Sequence, residues 1–177
     1  FVKLLIRYSL KPYVGPNSRR FRLLFALYLY CVCANSPCIS NLDGKNSRVL
    51  TDDGRNLLPC WLPDSKHVVW MKSEPGHEPS RNSQIHLMNT ETGESQRMFT
   101  DPEQLKFSNS MPVVSPKGDR IAFVSNRSGV MRIWVSNLDG SNARQISKPE
   151  MDYHQAIKAP IEQKVPAWSP ASQWIAH

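Results

Sequence analysis

Between Met111 and Ser147, short apolar runs alternate with clusters of turn residues. Residues 111 to 114, 120 to 125, 131 to 136 and 143 to 147 have strand length and composition. Ser-Pro-Lys-Gly at 115–118, Asn126 to Gly129 and Asn137 to Gly140 separate them. In the first of these turns Pro116 fixes φ, and Gly118 accepts a positive φ without steric cost. The pattern predicts four consecutive strands joined by tight turns. In the second strand Ile121 and Phe123 share one face while Ala122 and Val124 share the other. Both faces are therefore apolar, which suits a sheet stacked between neighbours rather than one lying open on water.

The same pattern recurs along the chain. Pro59-Cys60-Trp61-Leu62-Pro63-Asp64-Ser65, Pro112-Val113-Val114-Ser115-Pro116-Lys117-Gly118 and Pro166-Ala167-Trp168-Ser169-Pro170-Ala171-Ser172 carry Pro, an apolar residue and Pro at matching offsets. An apolar pair follows each: Val68-Val69, Ile121-Ala122 and Ile175-Ala176. A second motif interleaves with the first. Asn41-Leu42-Asp43-Gly44, Asn89-Thr90-Glu91-Thr92-Gly93 and Asn137-Leu138-Asp139-Gly140 each place an Arg four residues past the Gly, at Arg48, Arg97 and Arg144. Asn41, Asn89 and Asn137 are 48 residues apart in both intervals. That period falls between the roughly 40–45 and roughly 50 residues of known four-stranded propeller repeats. The expected fold is all-β, a partial β-propeller of four-stranded antiparallel blades. A partial blade is expected at 39–51, blades at 57–100 and 111–147, and a partial blade at 166–177. A closed propeller typically needs about 4–8 blades. The missing blades are therefore expected beyond residue 177.

The segment SPKGDRIAFVSNRSGVMRIWVSNLDGSNARQIS, Ser115 to Ser147, resembles the WD-like repeat of the TolB-type propeller family. Similar repeats occur in the propellers of prolyl-oligopeptidase-type peptidases. The family pattern runs W-S-P-D-G, I-A-F-x-S-x-R-x-G, a D-G turn and a closing R-x-L-T. The resemblance covers about residues 39 to 177. Departures stand at Val114, where the family has Trp, and at Ser65 and Ser172, where it has Gly. Loss of Gly at two turns predicts wider or strained hairpins there. The resemblance implies a periplasmic or extracellular protein-interaction or ligand-binding scaffold. Its implied partners include cell-envelope proteins such as outer-membrane lipoproteins. It also leaves open two enzymatic settings: the gating propeller of a serine peptidase, and a propeller lyase acting on pectic oligosaccharides.

Charge changes the picture only at the N-terminus. The formal net charge is +7, but residues 1 to 34 carry six basic side chains and no acid. The remainder holds sixteen basic against fifteen acidic residues, so no basic face for nucleic acid is expected. Leu23 to Ala34 is a run of twelve apolar residues behind Arg19, Arg20 and Arg22. A basic start, a short apolar run and a small residue before the cut are the order of a secretory signal, and the run is too short to span a bilayer. Residues 1–34 are expected to be an upstream segment and signal peptide cleaved after Ala34, with 35–177 the incomplete propeller. No stable membrane span is expected after its removal. Export would leave Cys38 and Cys60 as one potential disulfide pair.

Candidate chemistry is sparse. His67, His77, His86, His154 and His177 show no two-ligand metal spacing, and the serines sit at turns rather than in a nucleophile elbow. No catalytic residue, metal ligand or cofactor is assigned. Trp61, Trp70, Trp134, Trp168 and Trp174 fall at repeat positions and are expected to pack blades. Binding candidates are His77, in a Pro- and Ser-rich loop, and Asp152, Tyr153 and His154, in the long segment between two repeats.

Overall fold

The computed structural model describes residues 36–73, 83–147 and 165–176. They form two four-stranded antiparallel sheets flanked by two hairpins. The first hairpin pairs β1 (Cys38–Ile39) with β2 (Arg48–Val49). The first full sheet orders β3 (Arg55–Trp61), β4 (His67–Ser73), β5 (Ser83–Asn89) and β6 (Ser95–Arg97) as a meander. A four-residue helix, α1 (Pro102–Leu105), follows; Asp101 caps it by accepting from the Glu103 amide. The second sheet repeats the meander with β7 (Asn109–Val114), β8 (Arg120–Ser125), β9 (Arg132–Asn137) and β10 (Arg144–Gln145). The last hairpin joins β11 (Ala167–Trp168) to β12 (Ile175–Ala176). This is an open, partial propeller of four-stranded blades.

Burial follows from stacking. Ile121, Ala122 and Phe123 are each 0% exposed and Val124 is 2% exposed, so both faces of β8 are covered. One face joins the core between the two full blades, where Val69, Ile85, Met98 and Phe99 meet Val114, Ile121 and Phe123. Val124, Met131 and Ile133 form a second cluster on the other face of the second blade, with Met111 and Ile146 against them. Val68, Trp70 and Met88 form a third, with Leu50 and Trp61. Full burial of each such side chain contributes about 1.5–3 kcal/mol.

The repeated Pro segments build one turn three times. In each, the amide of the seventh residue, which is left-handed, closes on the carbonyl three positions back: Ser65 on Leu62 at 3.2 Å, Gly118 on Ser115 at 2.8 Å and Ser172 on Ser169 at 2.9 Å. The outer closing bonds match too, from Leu62 to the His67 carbonyl, Ser115 to Arg120 and Ser169 to Trp174. The hairpins that lack Gly are therefore no wider than the one that has it. Ser65 and Ser172 take the left-handed conformation instead, with φ of 60° and 57° beside 74° at Gly118. The strain expected from their sequence resides in φ alone.

Both inner strands carry the same irregularity. Pairing slips between Leu57 and Cys60 in β3, and between Ser110 and Val113 in β7. Leu58 and Met111, each just before a Pro, adopt positive φ at the slip. A bulge of this kind bends the strand and increases its twist.

Of the five tryptophans, Trp70 is 1% exposed and packs within a blade core, whereas Trp174 is 75% exposed. No disulfide joins Cys38 to Cys60, and burial pushes the Cys60 thiol above its ordinary value. Among the described residues no helix is long and apolar enough to cross a membrane. The signal-like segment lies outside the described residues.

Candidate functional site

Antiparallel pairing sorts the connections onto two ends of the blades. Ser73 pairs with Ser83, and Asn109 with Ser125, so the β4–β5 and β8–β9 connections leave from one end. The Ser83 amide donates to Ser108 Oγ at 3.1 Å, which brings the two blades together at that end. The turns after β3 and β7 lie at the other.

At the first end the strand starts carry buried polar residues rather than apolar ones. Asn109 is 0% exposed and Gln84 is 4% exposed. The Asn109 amide nitrogen donates to Gln84 Oε1 at 3.2 Å and to the carbonyls of Gln104 and Phe107, each at 3.1 Å. Gln84 Nε2 in turn donates to the Phe107 carbonyl at 2.9 Å. With its nitrogen thus committed, Asn109 turns Oδ1 to the Arg127 guanidinium, whose Nη2 donates to it at 3.0 Å. Arg127 Nε donates to Ser125 Oγ at 3.2 Å. Its Cζ stands 5.0 Å from the Trp134 ring, 5.1 Å from Phe123 and 5.9 Å from Phe107. Cations attract aromatic faces at such distances. Arg127 is half-buried, and burial lowers its pKa below the ordinary value. The guanidinium therefore caps the loop end of the core between the blades.

The first blade has a related arrangement. Asn56, the repeat partner of Asn109, accepts from the Trp70 indole at 2.8 Å. Its amide donates to Asp53 Oδ1 at 3.4 Å, and Asp53 also accepts from Thr51 and Lys72. Those donors, Lys72 foremost, hold the Asp53 carboxyl at about 2.

The opposite end is built for spacing. A Cβ on Gly118 would lie 3.2 Å from the Pro63 ring, so the turn of one blade rests on that of the next. The Lys117 amide donates to Ser172 Oγ at 3.1 Å, and Arg120 Nη2 donates to the Ser172 carbonyl at 3.3 Å. Trp168 Nε1 donates back to the Val113 carbonyl at 2.9 Å, with Arg120 over its ring at 5.6 Å. The turn carboxylates are engaged locally: Asp64 with His67 at 2.7 Å, and Asp119 with Ser115 at 2.8 Å.

The binding candidates His77, Asp152, Tyr153 and His154 lie outside the described residues. His67 and His86 sit apart, one at the start of β4 beside Asp64, the other half-buried with its ring centroid 5.7 Å from Trp70. Among the described residues no three His, Cys, Asp or Glu side chains gather as a metal site. Sequence reasoning passed over Arg127, Asn109 and Gln84. The family pattern marks the Arg, but nothing local to Asn109 or Gln84 shows that residues 25 positions apart meet.

The fold and this end define a class, stacked four-stranded propeller blades with a buried polar network at their loop end. Within that class the chain is similar to TolB. It is 31% identical over 114 residues to the Tol-Pal system protein TolB of Anaeromyxobacter dehalogenans strain 2CP-C, covering 63% of this chain and 24% of that protein. The protein of that name in strain 2CP-1 matches at the same identity and coverage. The chain thus spans about a quarter of the length of the curated relatives it matches. No protein-family model matches it. Among solved structures, TolB from Agrobacterium tumefaciens superposes with a TM-score of 0.54 at 24% identity, over 71% of this chain and 38% of that one. An oligogalacturonate lyase in complex with manganese superposes with a TM-score of 0.56 at 15% identity, over 81% and 38%. These two likenesses are of fold.

Proposed function

We propose that the chain is part of an exported TolB-like propeller that serves as a protein-interaction or ligand-binding platform and does no chemistry of its own. The observation behind this reading is the division of labour between the two ends of the blades. Turns interlock at one end, while at the other a rigid, buried polar network supports the strand ends from which loops emerge. Binding residues are characteristically carried on loops that a rigid scaffold positions. The setting under this reading is the periplasm or the extracellular space, and the partner is a cell-envelope protein. The test is capture on the immobilised full chain from a cell-envelope fraction, with identification of what is retained. A defined envelope protein, bound reversibly and at fixed stoichiometry by the purified chain, is the expected result. Retention of nothing beyond a denatured control would overturn it.

A second reading is a propeller that serves an enzyme, either gating a serine peptidase or belonging to a lyase on pectic oligosaccharides. The likeness in fold to the oligogalacturonate lyase favours it. Incubation of the chain with oligogalacturonate and manganese, and with short peptides, separates the two readings. Release of an unsaturated uronate or cleavage of a peptide would replace the platform reading.

A further inference from the structure

We propose that Arg127 is the receptor for a carboxylate on an acidic peptide segment of the partner, an inference that rests on the platform reading above. The guanidinium is half-buried, and among the described residues its setting supplies no opposite charge: both of its hydrogen bonds go to neutral oxygens, Ser125 Oγ and Asn109 Oδ1. Among the described residues no carboxylate pairs with it. Its other neighbours are the rings of Trp134, Phe123 and Phe107. Of five N–H donors, two are used, leaving Nη1 and one hydrogen of Nη2.

The surroundings orient the group without satisfying it. Asn109 cannot swap its oxygen for its nitrogen, because the nitrogen is held by Gln84 and two carbonyls. The acceptor oxygens of Asn109 and Gln84 are therefore occupied. The Trp134 indole N–H, on the ring beneath the same guanidinium, is buried and finds no acceptor among the described residues. Among the described residues the site is thus rich in fixed donors and short of acceptors and negative charge. A carboxylate supplies all that is lacking, since its two oxygens accept the paired donors of an Arg fork. Partial burial beside aromatic rings strengthens such a pair relative to one in open water. The Asn126 to Gly129 turn that carries Arg127 stands at the loop end of the blades, and Ser128 and Gly129 are exposed there.

The test follows two resonances in the full-length chain, the Arg127 Nε–H and the Trp134 Nε1–H, assigned by Arg127→Lys and Trp134→Phe. The probe is the capped peptide acetyl-Asp-Glu-Asp-Glu-amide; acetyl-Asn-Gln-Asn-Gln-amide, inorganic phosphate and trigalacturonate are run beside it. The expected result is a saturable shift of both resonances with the acidic peptide and none with the neutral one. Arg127→Lys, which keeps the charge but loses the fork, should weaken binding roughly tenfold or more. No shift, an equal shift with the neutral peptide, or a shift confined to phosphate or trigalacturonate would overturn the proposal. The two readings fail separately. An envelope partner still bound at full affinity by Arg127→Lys would remove the role of Arg127 and leave the platform, while a saturable peptide shift without any captured partner would do the reverse.

Discussion

Gly140 faces the ring of Phe99 so closely that a Cβ at position 140 would stand 2.8 Å from Phe99 Cδ1. Phe99 is 1% exposed and belongs to the core between the two full blades, so it has no room to retreat. The turn of the second blade is thereby set against the first by a contact that tolerates only hydrogen. Gly140 also has φ of 86°, where a side chain adds backbone strain. Gly140→Ala is expected to destabilise the fold by about 2–4 kcal/mol, combining overpacking with the left-handed penalty. Gly93→Ala is the control. It shares the positive φ, at 78°, but has nothing within 4 Å, so it should lose only about 1–2 kcal/mol in denaturant unfolding.

Ser65 offers the opposite experiment. It holds φ of 60° in an exposed turn, and its hydroxyl serves no turn contact that a Gly would forfeit. Ser65→Gly should stabilise the chain by about 0.5–1 kcal/mol in equilibrium unfolding. Ser172→Gly should gain less or nothing, because Ser172 Oγ accepts the Lys117 amide from the neighbouring blade.

Asn109 ties three chain segments together from a fully buried position. Asn109→Ala would leave Gln84 Oε1 and the Arg127 Nη2 without their partners, at an expected cost of about 2–4 kcal/mol. The Arg127 Nε–H resonance should broaden or move in the same variant, since half of the restraint on the guanidinium is gone.

Acid should expose the contribution of Asp53. Its donors, with Lys72 the largest, lower the carboxyl from 3.8 to about 2 in the folded chain. A carboxyl with a depressed folded pKa stabilises the native state fully above its unfolded value, and that stabilisation fades as pH falls towards the folded one. The stability gap between the wild type and Asp53→Asn should therefore be constant above about pH 5 and shrink as pH falls from 3.8 to about 2. A gap that held steady through that range would show that Lys72 does not act on the ionised carboxylate.

Local chemistry made the blades legible in the sequence. The Gly of each Asn-to-Gly turn, at 44, 93 and 140, takes the positive φ that its turn demands, and the alternation in β8 places two buried faces where it should. The serine turns were legible only in part. Their strain could be foreseen from the missing Gly, but keeping the hairpin narrow depends on the closing bonds from Leu62 and Ser169, which outweigh the left-handed penalty. Helix α1 was not foreseen, because four residues are too few for a periodic signal. The Arg127 site lay deeper still. Its parts come from β5, β7, β8, β9, the β8–β9 turn and the segment after α1, and only the stacking of one blade on another turns these scattered residues into one network.

The interlocked turns at Pro63, Gly118 and Ser172 have a consequence for how such a chain can vary. Blade spacing is set there by backbone and ring contacts, and at the far end by contacts of the first residues of the strands, Ser83, Gln84 and Asn109. Length added between Ser73 and Ser83, or between Ser147 and Val165, leaves every one of those contacts in place. Under the platform proposal, segments that carry recognition can therefore be lengthened, exchanged or grafted while the pitch from blade to blade stays constant.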